Sequence, residues 1–254
     1  MRTGEELDSG PVPGPAPAPE PALDSPYWRF YARVAAAQLA AWLPAEPSLV
    51  LDLSGGRTEF AEQLAKAGHD VVHVNGEPSA NGPGRVLPVV ADGRRLSWLA
   101  DQSVDAVLAE GHALSLCLAA EVAVEDLLRV LRPGGRLLLV VDSLLLGLAR
   151  LAEQGRWAEL ADVPAADVVL VPGPDGSITR CFWPQELRDL LATAGFHVEW
   201  VRPRSVLSSS AVEKALAENG GALRALVTSE LALAQEREGE SSGLHLVVSA
   251  VRPS

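Results

Sequence analysis

Polar residues follow four apolar runs of the sequence, each where a strand would end. Asp52 closes the run LVLD and is followed by Ser54, Gly55 and Gly56. The later runs end in the same way, at Asn75-Gly76-Glu77, Asp92-Gly93 and Glu110-Gly111-His112. Because the carboxyl ends of parallel strands meet at one edge of an open sheet, we expect these groups to converge there. Small and acidic residues at such an edge are suited to hold a nucleotide-like ligand.

His112 is the residue at this edge best suited to proton transfer. Histidine side chains titrate close to neutral pH, so a histidine beside a reacting group can act as a general base. Glu110 is a weaker candidate for the same role, and a purely structural role for His112 stays open. The other histidines lie in or beside strand patterns, and we interpret them as structural: His69, His73, His197 and His245.

Apolar runs and helical patterns alternate along the chain. Strands are predicted at Leu49–Leu53, Asp70–Val74, Val86–Val90, Val104–Ala109, Arg136–Val141, His197–Val201 and Leu244–Val251. Helices are predicted between them, near 57–67, 119–131, 184–194 and 211–236. This alternation predicts an α/β fold, an open doubly wound sheet with right-handed crossovers. The β-branched run at the C-terminus is typical of a strand added antiparallel to such a sheet.

The N-terminal segment differs from the rest of the chain. Residues 1–24 are rich in proline and alanine, and we expect a disordered tail there. Ser25 is suited to cap a helix that has Pro26 at its first position and ends before Pro44. We therefore predict a single domain over 25–254.

Composition excludes several kinds of partner. The 254 residues include 33 acidic and 21 basic side chains, which gives a formal net charge of −12 at pH 7. An acidic chain without basic clusters argues against nucleic acids and anionic membranes as partners. The two cysteines, Cys117 and Cys181, have no metal-ligand spacing, so we expect reduced thiols and no metal. No apolar run approaches a membrane span, and a cytoplasmic protein from a GC-rich bacterial gene is expected.

Four longer stretches resemble class I S-adenosylmethionine-dependent methyltransferases, and the resemblance covers about Tyr27 to Pro253. They are LVLDLSGGRTEFAEQLAKAGHDVVHVN, VVADGRRLSWLADQSVDAVLAEGHAL, EDLLRVLRPGGRLLLVV and FWPQELRDLLATAGFHVEWV. The resemblance implies a Rossmann-like doubly wound sheet of seven strands, mostly parallel with an antiparallel C-terminal strand. It also implies S-adenosylmethionine as the cofactor.

The resemblance further implies which residues hold the cofactor. Asn75 and Glu77 would bind the ribose hydroxyls, and Asp92 the adenine amino group. The full predicted set is Asp52, Ser54, Gly55, Gly56, Asn75, Glu77, Asp92, Gly93 and Glu110. The chain departs from the family at Ser54 and Thr58, where the loop usually has glycine, and at Asn75, where it usually has an acid. These departures predict weakened cofactor affinity.

The leading functional hypothesis is methyl transfer to a small-molecule acceptor. Tyr31, His112 and Trp183 are predicted to contact the acceptor, with 143–183 and 202–236 forming a lid over it. One alternative is an inactive methyltransferase-fold protein that acts as a binding or partner subunit, and a homodimer or protein partner fits either case. Another is a fold that binds S-adenosylmethionine for a different reaction. A nicotinamide dehydrogenase is disfavoured, because the loop glycines lack the dinucleotide spacing.

Overall fold

Nine strands form in the part of the chain that the computed structural model describes, residues 25–75, 85–166, 168–173 and 175–254. They are β1 (Leu49–Asp52), β2 (Asp70–Asn75), β3 (Val86–Val90), β4 (Val104–Ala109), β5 (Leu131–Asp142), β6 (Val169–Pro172), β7 (Ile178–Cys181), β8 (His197–Arg204) and β9 (His245–Val251). Seven of them make one sheet in the order β3-β2-β1-β4-β5-β9-β8, and β6 pairs with β7 in a hairpin. The predicted tail, 1–24, lies outside the described residues.

Strand directions agree with the sequence-based prediction. Neighbours from β3 through β5 pair in parallel, whereas β9 pairs antiparallel with both β5 and β8. The carboxyl ends of β1 to β5 and of β8 therefore share one edge with the first residue of β9. This reversal brings His245 to the edge where the parallel strands end.

Eight α-helices connect these strands within the described residues. They are α1 (Pro26–Trp42), α2 (Thr58–Lys66), α3 (Ala120–Val130), α4 (Leu144–Glu153), α5 (Trp157–Asp162), α6 (Pro184–Ala194), α7 (Ser209–Glu218) and α8 (Leu223–Glu236). The first begins as predicted, with the Ser25 hydroxyl accepting from the Trp28 amide at 3.2 Å. No helix in the described ranges has the length and apolar character needed to cross a bilayer.

Two apolar layers cover the sheet, one on each face. Leu51, Val107 and Leu139 point to one face, where they pack with residues of α3 and α6. Val50 and Leu138 point to the other, where they pack with residues of α1 and α2. Burial on both faces explains why the central strands read as continuous apolar runs rather than alternating patterns.

Several predicted boundaries differ from the structure; β8, for example, continues to Arg204 instead of ending at Val201. β5 begins at Leu131 rather than Arg136, because Leu131 already pairs with Val104 before the register shifts at Ala106. The helix predicted over 211–236 is divided into α7 and α8, because Asn219 ends the first helix and its side chain accepts from the Gly221 amide.

The segment predicted as a lid, 143–183, has a small apolar core of its own. Leu144, Leu151, Val171 and Cys181 are among the residues that bury together between α4 and the β6–β7 hairpin. Backbone hydrogen bonds from Phe182 to the Asp142 carbonyl and from Leu144 to the Phe182 carbonyl, 3.0 and 2.9 Å, attach it to the end of β5. In the second lid segment, α7 and α8 pack against α1. Closure over an acceptor stays a prediction.

The contact between α4 and the hairpin can be tested at Gly147. A Cβ at this position would lie 2.9 Å from Cys181 Sγ and 3.0 Å from Cys181 Cβ. Alanine should gain about 1 kcal/mol of helix propensity but lose about 1–3 kcal/mol to overpacking. We expect Gly147→Ala to lower the free energy of unfolding in urea, and less so in a Cys181→Ala background. A Gly147→Ala variant more stable than the parent would contradict this packing.

Candidate functional site

The predicted cofactor residues that the structure describes, together with His112, lie around the carboxyl edge of the sheet. Asp52 and Asn75 end β1 and β2, Asp92 follows β3, and Glu110 and His112 follow β4. Three residues that were not predicted for the site also lie at this edge: Asp142 at the end of β5, Arg204 at the end of β8, and His245 at the start of β9. Glu77 lies outside the described residues.

Asp52 fixes the loop that follows β1. Its Oδ1 accepts hydrogen bonds from the Ser54 amide and the Ser54 hydroxyl, at 3.0 and 2.5 Å. Its Oδ2 lies 2.8 Å from His73 Nδ1, and all three side chains are buried. Both carboxylate oxygens are therefore engaged within the protein, so Asp52 fixes the shape of the loop.

The backbone of the loop after β1 is accessible, although this loop has fewer glycines than the family pattern. The Ser54 side chain turns inward to Asp52, and Arg57 packs over the Phe60 ring, 4.7 Å from its centre. Gly55 has a φ of +64°, and a Cβ at Gly55 or Gly56 would meet no atom of the described residues within 4 Å. The Ser54 and Arg57 side chains are thus held away from the exposed backbone, which leaves room for a ligand beside the first turn of α2.

Asp92 is an exposed acid at this edge. Arg94 donates to it through its amide, Nε and Nη2, at 2.9, 3.0 and 3.1 Å. These hydrogen bonds lower the pKa of Asp92, so its carboxylate is charged at neutral pH. Beneath it, Gly93 and Leu53 border an apolar cavity of about 20 Å³, which is too small for an adenine ring. A nucleoside at this position would therefore lie above the cavity, on the rim.

Glu110 does not have the role that the sequence predicted. Glu110 and Arg204 are both 0% exposed, and the guanidinium donates two parallel hydrogen bonds of 2.8 Å to the carboxylate. Burial alone would raise the pKa of Glu110, but the charge and hydrogen bonds of Arg204 hold it below its usual value. Because both oxygens are occupied by Arg204, Glu110 is unsuited to contact the cofactor or to accept a proton.

The predicted acceptor residues Tyr31 and Trp183 are not placed beside a common ligand. Tyr31 is buried, its hydroxyl accepts from Arg204 at 3.3 Å, and its ring lies against the His245 ring. Trp183 is half-exposed and borders a surface groove whose lining residues do not include His112. Tyr31 therefore supports the site from below, and Trp183 belongs to a different surface.

His112 is held in an uncommon backbone conformation by a carboxylate. Its φ is +54°, a region that costs a non-glycine residue energy and that is frequent at functional sites. Nδ1 lies 2.7 Å from Asp142 Oδ1, and the other oxygen of Asp142 accepts from Arg150 at 2.9 Å. With Nδ1–H donating to Asp142, Nε2 is left as a proton acceptor. The side chain is 23% exposed, so an acceptor molecule can reach it.

His245 completes this group. Its ring centre lies 4.7 Å from that of His112, and its Nε2 lies 3.9 Å from Asp142 Oδ1. Burial lowers the pKa of His245 well below 6.5, so this imidazole is neutral at neutral pH. Burial would raise the pKa of Asp142, but hydrogen bonding to His112 lowers it, and the carboxylate stays charged.

His112, Asp142 and His245 also have the composition of a metal site. Each offers one ligand atom, and these atoms lie within 4.8 Å of one another. Two imidazoles and a carboxylate form a known iron-binding set. However, Asp142 already carries the Arg150 guanidinium, and a spacing of 2.7 Å from His112 is that of a hydrogen bond. The arrangement fits acid–base chemistry better than metal binding.

The Glu110–Arg204 pair should contribute strongly to stability. Glu110→Gln leaves a buried cation without its counter-charge, which costs about 3–5 kcal/mol. We expect this loss in the free energy of unfolding, measured by urea denaturation, and a similar one for Arg204→Met. Because the double variant Glu110→Leu/Arg204→Met removes both charges, it should recover most of the loss. Single variants within about 1 kcal/mol of the parent would contradict the buried pair.

The His73–Asp52 pair should make stability depend on pH. Hydrogen bonding to Asp52 raises the pKa of His73 above 6.5. The contribution of charged His73 to the free energy of unfolding is therefore fully present below pH 6.5. It is lost as the pH rises through the raised pKa of His73. We expect the stability difference between the parent and His73→Asn to shrink between pH 5.5 and 8.5.

His69 is the matched control, because burial lowers its pKa. Its contribution is present above pH 6.5 and is lost as the pH falls, so His69→Asn should have the opposite trend. Parallel trends for the two variants would refute the assignment.

Comparisons with known proteins agree with this architecture. A family model described as a methyltransferase domain matches residues 51–139. An uncharacterized methyltransferase of Mycobacterium tuberculosis is 33% identical over 166 residues, which span 61% of this chain and 67% of the relative.

Two solved structures share the fold. One is the 1,6-didemethyltoxoflavin-N1-methyltransferase of Burkholderia thailandensis, with bound 1,6-didemethyltoxoflavin and S-adenosylhomocysteine. It has a TM-score of 0.56 and 19% identity, over 89% of this chain and 81% of that one. The other is an S-adenosylmethionine-dependent methyltransferase of Mesorhizobium loti, with a TM-score of 0.55 and 16% identity, over 85% and 96%. With the matched domain and the mycobacterial relative, they lead to one conclusion: this chain belongs to the class I S-adenosylmethionine-dependent methyltransferase superfamily.

Proposed function

We propose that this chain methylates a small-molecule acceptor and that His112 removes a proton from the acceptor. The observation that carries the proposal is the 2.7 Å contact between His112 Nδ1 and Asp142 Oδ1 at the carboxyl edge of the sheet. S-adenosylmethionine, when bound, supplies a methyl group on a cationic sulfonium. The protein's own residues then need to hold the two reactants in line and accept the acceptor's proton.

The loop after β1 and the ends of β2 and β3 are the proposed cofactor site. The backbone at Gly55 and Gly56 fits the cofactor's amino-acid part, because no atom of the described residues lies within 4 Å of a Cβ at either position. Asn75 and Glu77 would accept from the ribose hydroxyls, and the charged carboxylate of Asp92 from the adenine amino group. Asp52 and Ser54 would keep the loop in shape, and Gly93 would allow the ring to approach.

His112 fits the role of base because its neighbours fix one tautomer. In neutral His112, a proton on Nδ1 would donate to Asp142 and leave Nε2 as the acceptor, while Arg150 holds Asp142 in place. An acceptor that gives its proton to Nε2 would produce an imidazolium, which the Asp142 carboxylate stabilises. General bases of this kind accelerate reactions by about 10²–10⁴-fold.

A small acceptor agrees with the chain's charge and with its two inserted segments. The net charge of −12 disfavours polyanionic substrates such as nucleic acids. Residues 143–183 begin immediately after Asp142 and so are positioned to border the acceptor. An acceptor enclosed by this segment would also be shielded from water.

Cofactor binding is tested by calorimetric titration with S-adenosylmethionine and S-adenosylhomocysteine. We expect micromolar binding that Asp92→Ala weakens about tenfold, because a charge-assisted hydrogen bond is lost. Asp70→Ala is the matched control, since Asp70 is an exposed acid at the opposite end of β2 from Asn75, and its affinity should be unchanged. Folded protein that gives no heat at millimolar ligand would instead support the inactive, partner-binding alternative.

Turnover is tested with a panel of acceptors and mass-spectrometric detection of the methylated product. We expect His112→Asn and Asp142→Asn to lower kcat by about 10²–10⁴-fold while the cofactor Kd stays within about twofold. Unchanged kcat in both variants would remove His112 from the mechanism. Conversion of an acceptor without a gain of methyl mass would support a different cofactor-dependent reaction.

A further inference from the structure

We propose that the surface around Arg180 is a docking site for a protein partner that presents basic side chains beside apolar ones. Three parts of the chain meet there: the β6–β7 hairpin, the segment that leads into α3, and the start of α6. The inference goes beyond the proposed function and does not depend on methyl transfer.

Arg180 holds these three parts of the chain together. Its amide donates to the Ser115 carbonyl at 2.7 Å, and its guanidinium donates to Glu121 of α3 and Glu186 of α6 at 3.0 and 2.9 Å. The Arg180 side chain is 7% exposed, so the ion pairs are made below the surface on its side. The three elements therefore have a fixed arrangement before a partner binds, which reduces the entropic cost of docking.

Exposed apolar side chains surround Arg180. Half of the large apolar side chains that are exposed in the described part of the chain lie on these elements: Leu116, Leu118, Val122, Leu170, Ile178 and Trp183. We refer to these six side chains, together with Glu121, Arg180, Glu186 and Asp189, as the Arg180 surface.

The hairpin contributes one face to the Arg180 surface. Leu170 pairs with Arg180 across the two strands, and Ile178 precedes Arg180 by two residues, so all three lie on the same face. The opposite face carries Val171 and Cys181, which are buried against α4. One face of the hairpin therefore packs into the protein, and the other leaves apolar side chains exposed.

The other exposed apolar side chains lie beside the contacts that Arg180 makes. Leu116 and Leu118 belong to the short segment between the two residues of the α3 side that accept from Arg180, and Val122 follows the second of them. Trp183 lines the groove between α3 and α6 together with Arg180. Exposed apolar residues that cluster in this way mark interaction sites, whereas isolated ones need no explanation.

The groove beside this apolar cluster is acidic. Glu121, Glu186 and Asp189 line it. Arg180 is the only basic residue among the lining residues that the structure describes, so negative charge is in excess. The Trp183 indole is 41% exposed in the same groove, and an arginine or lysine placed on it would also be close to the carboxylates. The groove therefore favours a basic side chain of the partner.

A second copy of this chain fits the surface less well. Its net charge is −12, and a two-fold symmetric contact would place Glu121 and Asp189 near the same acids of the other copy. Like charges that face each other across an interface cost energy. A small apolar ligand also fits less well, because small-molecule sites enclose most of the ligand, whereas these side chains belong to three elements and are exposed.

The Arg180 surface is attached to the candidate active site through the backbone. The Leu116 amide donates to the His112 carbonyl at 3.3 Å, and the Ser115 hydroxyl accepts from the Asp142 amide at 2.8 Å. A partner bound at the Arg180 surface would therefore contact the turn that holds His112.

Peptide selection tests the chemistry of the partner. A displayed library of random linear peptides is selected on the full-length protein, and the enriched peptides are synthesised and titrated by fluorescence anisotropy. We expect peptides that combine arginine or lysine with aliphatic or aromatic residues, and a micromolar Kd that rises with added salt. No enrichment, or enrichment of peptides without basic residues, would overturn the proposal.

Two exposed positions test where these peptides bind. Asp189→Lys reverses a charge in the groove and Val122→Lys places a charge in the apolar cluster, so each should raise the peptide Kd by about tenfold or more. Glu46→Lys is the matched control, because Glu46 is exposed in the turn before β1, at the amino edge of the sheet, and the peptide Kd should be unchanged. All three variants should keep the parental midpoint of thermal unfolding, since the replaced side chains are exposed. The same peptide Kd for the parent and all variants would overturn the proposal.

Light scattering distinguishes a partner from a second copy. We expect the parent and Val122→Lys to have the same molar mass over a wide range of protein concentration. A parent dimer that Val122→Lys dissociates would show that a second copy occupies the Arg180 surface, and would overturn the assignment of a basic partner.

Discussion

The buried pair between Glu110 and Arg204 is the interaction on which the arrangement of the site depends. It joins the end of β4 to the end of β8 across two intervening strands, and Arg204 also donates to Gln38 and Tyr31 of α1 at 2.6 and 3.3 Å. Two charges removed from water are tolerable only when every donor and acceptor is satisfied, so this geometry is strongly constrained. The pair thereby fixes the strand end that carries His112 and the Tyr31 ring on which His245 rests.

Three acidic side chains at the same edge serve different purposes because their partners differ. Asp52 is fully buried against Ser54 and His73, and Glu110 is fully buried against Arg204. Neither has an oxygen left for chemistry. Asp142 is bound to a histidine that is partly exposed, so protonation of its partner can be coupled to a reaction. The exposure of the basic partner, rather than the acid itself, distinguishes the two structural pairs from the pair that we propose to be reactive.

The fold and the polar residues at the carboxyl edge of the sheet could be predicted from the sequence. The side chains with which those residues pair could not. The seven strands, their mostly parallel order and the antiparallel C-terminal strand were predicted because apolar runs and turn residues are local signals. Glu110 was given the wrong role because its partner lies 94 positions further along the chain, and no local pattern reports such a contact. Asp142 lies one residue beyond the predicted Arg136–Val141 strand. His245 was interpreted as structural, yet an antiparallel last strand must begin at the edge where the others end, and that signal was available.

The central claim is that this edge binds the cofactor with its reactive end towards His112. A crystal structure with bound S-adenosylhomocysteine tests it most directly. The account predicts the amino-acid part over Gly55 and Gly56, the adenine amino group at Asp92, and the sulfur facing His112 Nε2 across a gap the size of an acceptor hydroxyl. Binding elsewhere, or a sulfur directed away from His112, would contradict it.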